Sequence, residues 1–227
     1  MNVAIIAAAG AGTRMAGRRP KQFLELAGTP IILHTLRPFE LCDSIQEVIV
    51  VLSAGESAGF LELASKAGLR KITRVVPGGR TRAESVYRGL QAIRSATADI
   101  VAVHDAVRPF VTASEIAQTV QAAQENGAAL LVAPVTDTIK EVTDGEVLRT
   151  LDRSSLRSSL TPQCFRYELL RRAYDGVDLS DPAVTDDSVL VERLGVKIKA
   201  VEGSRRNIKI TTPEDLLIAE ALLRDAS

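Results

Sequence analysis

Apolar residues follow two alternating rhythms along this chain. Unbroken runs at 3–9 (VAIIAAA), 47–53 (EVIVVLS), 72–77 (ITRVVP), 99–105 (DIVAVHD) and 127–135 (GAALLVAPV) suit strands buried on both faces of a parallel sheet. Between them lie helical patterns. The stretch 30–42 starts on Pro30, placed for a first helical turn, and 56–68 ends on Gly68, a C-terminal cap. Stretch 82–96 puts Val86, Leu90 and Ile93 on one face. Stretch 112–127 opens with Thr112 and Glu115, a capping box, and closes on Gly127. The alternation predicts an α/β fold, doubly wound around a mostly parallel, Rossmann-like sheet.

The rhythm changes after Val135. Residues 136–153 alternate with period two on both sides of Asp144-Gly145, a hairpin signal. We expect one domain spanning 1–227 with this β-arm inserted at about 136–156. The arm either lies on its own domain or reaches out as a lid or to another subunit. Helices near 165–174 and 186–194, a strand at 196–203, the segment NIKIT (207–211) and a closing helix at 212–225 follow.

Composition narrows the classes. The 28 basic residues balance 28 acidic ones, so the basic excess of a nucleic-acid binder is missing. No apolar run approaches the roughly 20 residues of a membrane span, and no basic region precedes the first apolar run as in a signal peptide. Two cysteines, Cys42 and Cys164, and two histidines, His34 and His104, argue against a disulfide framework or a multi-histidine metal site. A cytoplasmic protein is expected, with both cysteines reduced in the core.

Ligands of open parallel sheets bind beyond the carboxyl ends of the strands. There the chain places AAGAGTRM with Arg14, Arg18, Arg19 and Lys21; PGGRTRAES with Gly78, Gly79, Arg80 and Arg82; HDAVRP with His104, Asp105 and Arg108; and, late, Lys209. Cations crowded around one carboxylate suit a polyphosphate, and Asp105 among them suggests Mg²⁺. The first loop fits neither familiar glycine template. Met15 stands where a dinucleotide fingerprint needs its third glycine, and the second strand ends in Ser53 rather than an acid. Arg18-Arg19 follow Gly17 where a Walker loop needs Lys and a hydroxyl. His104 is expected to be structural.

The strings AAAGAGTRM, PKQF, GGRTRAESV, HDAVRPF, LDRSSL, LTPQCF, VTDDSVLVERLG and VEGSRRNIKITTPEDL together resemble the 2-C-methyl-D-erythritol 4-phosphate cytidylyltransferase family of the non-mevalonate isoprenoid pathway, over residues 2 to about 224. The resemblance implies transfer of CMP from CTP to the phosphate of methylerythritol phosphate, with release of pyrophosphate and with Mg²⁺. It implies that Ala8, Ala9, Gly10 and Gly12 meet the nucleotide through their backbone, and that Arg14 and Lys21 hold the triphosphate. Gly79, Arg82 and Ser85 would lie around the cytosine, Asp105 on the metal and Ala106 on the ribose. Arg108, Thr138, Thr161 and the catalytic Lys209 would surround the acceptor phosphate or the α-phosphate. A homodimer exchanging arms would bring Arg153 and Thr185 to the acceptor site across the subunits. The chain departs from the common pattern at Val107, Arg157 and Arg80, the last beside the expected nucleotide contacts. The runner-up is a ribitol-5-phosphate cytidylyltransferase, disfavoured by AAG in the first loop and by the presence of LDRSSL. A non-catalytic nucleotide-binding regulator is disfavoured because Lys21, Asp105 and Lys209 are all retained.

Overall fold

In the first strand, β1 (Val3–Ala8), Val3 and Ile5 turn to one side of the sheet while Ala4, Ile6 and Ala8 turn to the other. Each set meets its own layer of helices, as period-two geometry in a strand covered on both faces requires. The computed structural model describes residues 1–10, 20–94 and 98–225. In chain order come β2 (Glu25–Leu26) and β3 (Thr29–Pro30), α1 (Ile31–Leu41), β4 (Glu47–Leu52), α2 (Ser57–Lys66), β5 (Ile72–Pro77), α3 (Arg82–Gln91), β6 (Ile100–Asp105), α4 (Ala113–Asn126) and β7 (Ala128–Pro134). The arm strands β8 (Lys140–Thr143) and β9 (Glu146–Thr150), then β10 (Arg157–Arg166), α5 (Tyr167–Tyr174), α6 (Asp187–Glu192), β11 (Lys199–Glu202) and α7 (Pro213–Arg224) complete it.

Seven strands form one sheet in the order β11-β7-β10-β6-β1-β4-β5. Ile32, Leu36 and Phe39 of α1, Phe60 of α2 and Ile116 and Val120 of α4 pack on the Ile6 face. Val86 and Leu90 of α3, Leu170 of α5 and Leu190 and Val191 of α6 pack on the Ile5 face. The sheet is thus wound on both sides, as the alternation predicts. β1 pairs in parallel with β4 and with β6. The chain leaves β1 toward one edge and β6 toward the other, so their carboxyl ends flank a switch point, the ordinary ligand crevice of such sheets.

β10 is the element the apolar pattern does not announce. It lies between β6 and β7 and is antiparallel to both. Its sequence, RSSLTPQCFR, carries polar residues and Pro162 through its middle. The register with β7 shifts between Ser159 and Gln163, and a proline in a central strand is tolerated only at such an irregularity. The strand runs through Arg166, so the helix expected near 165 begins at Tyr167. The strand expected at 196–203 shortens to β11. NIKIT is held outside any ladder by single long-range bonds such as Ile210 N–H to Val107 O, 2.9 Å.

The hairpin forms as predicted. Asp144 and Gly145 both adopt positive φ, 52° and 83°, as a two-residue primed turn demands. Its strands form a separate two-stranded sheet. Every residue of β9 is exposed, and Val142, Val147 and Leu148 face solvent.

Candidate active site

The carboxyl end of β1 is tied on both sides. The Gln22 amide donates to Ala8 O at 2.6 Å, and the Ser53 hydroxyl donates to Ala9 O at 3.0 Å. The loop after β5 closes against it so tightly that a Cβ on Gly78 would meet the Ala9 Cβ at 2.1 Å. This is where only glycine admits the approach. That loop then turns into α3, capped by Thr81, whose hydroxyl accepts from Glu84 N–H. The Ser85 hydroxyl accepts from Gly79 N–H at 3.1 Å and donates to Thr81 O at 2.8 Å.

These pieces wall a cavity of about 320 Å³ at the switch point. Ala7–Gly10, Lys21, Gln22, Gly79–Arg82, Ser85, Asp105–Val107 and Lys209 line it. Lys21, Arg82 and Lys209 are cationic and Asp105 is a carboxylate, while Arg80 turns its side chain outward. A second cavity of about 140 Å³ adjoins it, lined by Arg108, Ser159–Thr161, Gln163, Thr185 and Asp186. Arg82, Asp105 and Lys209 stand in both walls.

Asp105 is the hub. Its Oδ1 accepts from Arg82 Nε at 3.0 Å. Its Oδ2 lies 2.9 Å from Lys209 Nζ and 3.5 Å from Arg108 Nε. Burial alone would raise this carboxyl, but Arg82, Lys209 and Arg108 overcome it and hold it well below the usual carboxylate range. Burial likewise works against the charge on Arg82, and Asp187 and Asp105 push its guanidinium above its ordinary value. Asp105 and Arg82 are therefore both charged at neutral pH. Arg108 also donates to Asn207 O at 2.8 Å, and the Asn207 amide donates to Thr161 O at 2.9 Å. The late NIKI segment is thereby stitched to β6 and β10, and Lys209 is delivered to the site between the inward-packed Ile208 and Ile210.

His104 is structural, as expected. It is fully buried against Phe39 and does not line either cavity. Its Nε2 lies 3.2 Å from Arg108 O and its Nδ1 2.8 Å from the Thr161 hydroxyl, which accepts from Asp105 N–H. One neutral tautomer satisfies all three contacts, with Nε2 carrying the proton.

The first cavity thus gathers Ala8, Ala9, Gly10, Lys21, Gly79, Arg82, Ser85, Asp105, Ala106 and Lys209. The second gathers Arg108, Thr161 and Thr185. Thr185 therefore lines the cavity of its own chain. Thr138 and Arg153 lie at neither; both are exposed beside the arm, where Arg153 donates to Thr136 O at 2.7 Å. Gly12 and Arg14 lie outside the described residues, as do Arg18 and Arg19. Arg80 turns outward to Glu84, and Arg157 folds back onto Glu202. Sequence reasoning misses Gln22, Gln163 and Asp187, whose parts depend on distant partners. Only Asp186, the N-cap of α6, carries a local signal.

Among the described residues no cluster of three or more acidic, histidine or cysteine side chains could hold a metal by itself. Asp105 fits the other mode, one carboxylate shared with phosphate oxygens, because its oxygens keep acceptor capacity beside their present donors.

A crevice at the switch point of an open α/β sheet, with close-set glycine backbone on one wall and cations around one carboxylate, suits a nucleotidyltransferase. A family model described as 2-C-methyl-D-erythritol 4-phosphate cytidylyltransferase (IspD) matches residues 2–225. The chain belongs to that family. It is 46% identical to the protein of that name from Pelotomaculum thermopropionicum, covering 97% of this chain and 93% of that protein. The protein from Bacillus cytotoxicus is 44% identical, with 98% of each covered. Among solved structures, the 4-diphosphocytidyl-2C-methyl-D-erythritol synthase of Anaerococcus prevotii superposes with a TM-score of 0.86 at 32% identity, over 98% of both chains. The enzyme of Thermus thermophilus superposes with a TM-score of 0.77 at 36% identity, over 97% of this chain and 98% of that one.

Proposed function

We infer that the chain transfers the cytidylyl group of CTP to the phosphate of 2-C-methyl-D-erythritol 4-phosphate, in isoprenoid precursor synthesis. The observation that carries the reading is the pair of adjoining cavities sharing Arg82, Asp105 and Lys209. Two phosphate-bearing substrates can meet there, on opposite sides of one charged cluster. The larger cavity receives the nucleotide and the smaller one the acceptor. A phosphate oxygen of the acceptor attacks the α-phosphorus in line. A new P–O bond forms, the bond to the bridging oxygen breaks, and pyrophosphate leaves with the electron pair.

Such a transfer needs positioning and charge neutralisation rather than a protein base. Lys21 and Arg14 hold the triphosphate. Lys209 and Arg108 exchange from Asp105 onto the incoming phosphates and stabilise the charge that develops. Ala8, Ala9, Gly10, Gly12, Gly79, Ser85 and Ala106 frame base and ribose. The metal we propose is Mg²⁺, held by Asp105 with substrate oxygens; when bound it neutralises phosphate charge. The exposed apolar arm supports a homodimer in which a second copy's arm brings Arg153 and Thr138 toward Thr185. Two buried, free cysteines suit a reducing compartment, in keeping with a cytoplasmic location.

A pyrophosphate-release assay tests this. CTP with methylerythritol phosphate is expected to turn over, and other nucleotides or ribitol 5-phosphate are not. Release with ribitol 5-phosphate but not with methylerythritol phosphate overturns the assignment.

A further inference from the structure

Arg82 is gripped differently from the other cations of the cluster. Its Nε donates to Asp105 and its Nη1 donates to Asp187 Oδ2 at 2.8 Å. Asp187 is completely buried and lines neither cavity. It is fixed from every side. The Tyr174 hydroxyl donates to its Oδ1 at 2.5 Å. Its own N–H and that of Ser188 donate to Gln163 Oε1 at 3.1 and 3.0 Å, joining the start of α6 to β10. Lys209, by contrast, has a 37% exposed side chain and, among the described residues, a single carboxylate partner, Asp105.

We propose that Asp187 is a positioning residue for the transfer, clamping Arg82 so that it stays on Asp105 while Lys209 and Arg108 exchange onto the substrate phosphates. The triphosphate attracts all three cations. If Arg82 followed it, Asp105 would lose the one partner that fixes its orientation between the two cavities. The buried carboxylate behind Arg82 offsets that pull. Arg82 keeps Nη2 buried and without a hydrogen-bond partner among the described residues, a donor left over for a ligand at the junction. Burial, then Asp187, hold the Tyr174 hydroxyl well above its ordinary range, so it remains a donor and the clamp persists through neutral pH.

The inference rests on the reading of Asp105 and Lys209 as the reacting site, and the experiment separates the two. Asp187→Asn keeps size and loses charge. In the full-length protein its kcat is expected to fall about tenfold, with KM for both substrates and the calorimetric Kd for CTP within about twofold of wild type. Asp187→Glu should restore part of the loss. In an Arg82→Lys background, already impaired, adding Asp187→Asn should change kcat less than twofold, because the residue through which it acts is gone. A tenfold loss in that background too, or an unchanged kcat in the single variant, overturns the clamp. Should Asp187→Asn not fold, Tyr174→Phe carries the test. It is expected to lose two- to fivefold in kcat beside Arg82 and nothing beside Lys, and equal losses overturn the proposal. A wild-type protein that releases no pyrophosphate from CTP and methylerythritol phosphate would remove the underlying reading as well.

Discussion

At the scale of single residues, the site is governed by what burial does to charge. Asp105 can remain ionised out of water only because three cations, Arg82, Lys209 and Arg108, reach it. Lys209→Ala and Lys21→Ala each remove a preorganised donor, which typically costs about 10²–10³ in kcat. Steady-state turnover measures this, and near-normal rates in both variants would sink their roles. His104 shows the same physics with the opposite outcome. Burial, its main cause, lowers the imidazole from 6.5 to about 4, against the pull of Asp105. The folded protein therefore binds this proton less readily than the unfolded chain. The neutral histidine contributes roughly 3 kcal/mol above pH 6.5, and this is lost as pH falls toward 4. Urea denaturation at pH 7 and pH 5 should show about 2 kcal/mol of that loss, and His104→Asn should flatten the slope. Equal slopes in the two proteins would contradict it.

At the scale of elements, local signals form what they predict. The Thr112–Glu115 capping box is present in full, and Gly127 ends α4 with φ of 87°. The Asp144-Gly145 turn joins β8 to β9 because its positive φ values belong to those two residue types. β10 escaped because its pairing is non-local. Pro162 and the polar Ser158, Ser159, Thr161 and Gln163 break any two-residue alternation. Three of them are satisfied by partners far along the chain: Ser159 by Asp186, Thr161 by His104 and Asp105 N–H, Gln163 by Asp186 and the start of α6. The strand that resembles a loop in sequence is the one that brings Thr161 and Gln163 to the smaller cavity. NIKI likewise follows no ladder and depends on Val107 and Arg108 for its place.

At the scale of the whole molecule, the arm stands apart from the sheet with Val142, Val147 and Leu148 in solvent, which a lone chain has little reason to keep. Removing the arm strands, residues 140–150, and joining the ends with two glycines is expected to give monomers by light scattering and a KM for the acceptor raised at least tenfold. An active dimer after the deletion would refute arm exchange. The layered fold, the parallel strands, the hairpin and the cationic strand ends are all legible in the amino-acid sequence. All of these follow from local periodicity, turn stereochemistry and the resemblance carried by short strings. It took the folded chain to show that Asp105 answers to three cations at once, that Thr185 lines its own chain's cavity, and that Asp187 grips Arg82 from behind. Those facts depend on residues from β6, α3, β10, α6 and the NIKI segment meeting at one point. Burial sets the energy of each charge there, and no local pattern records which distant side chains share it.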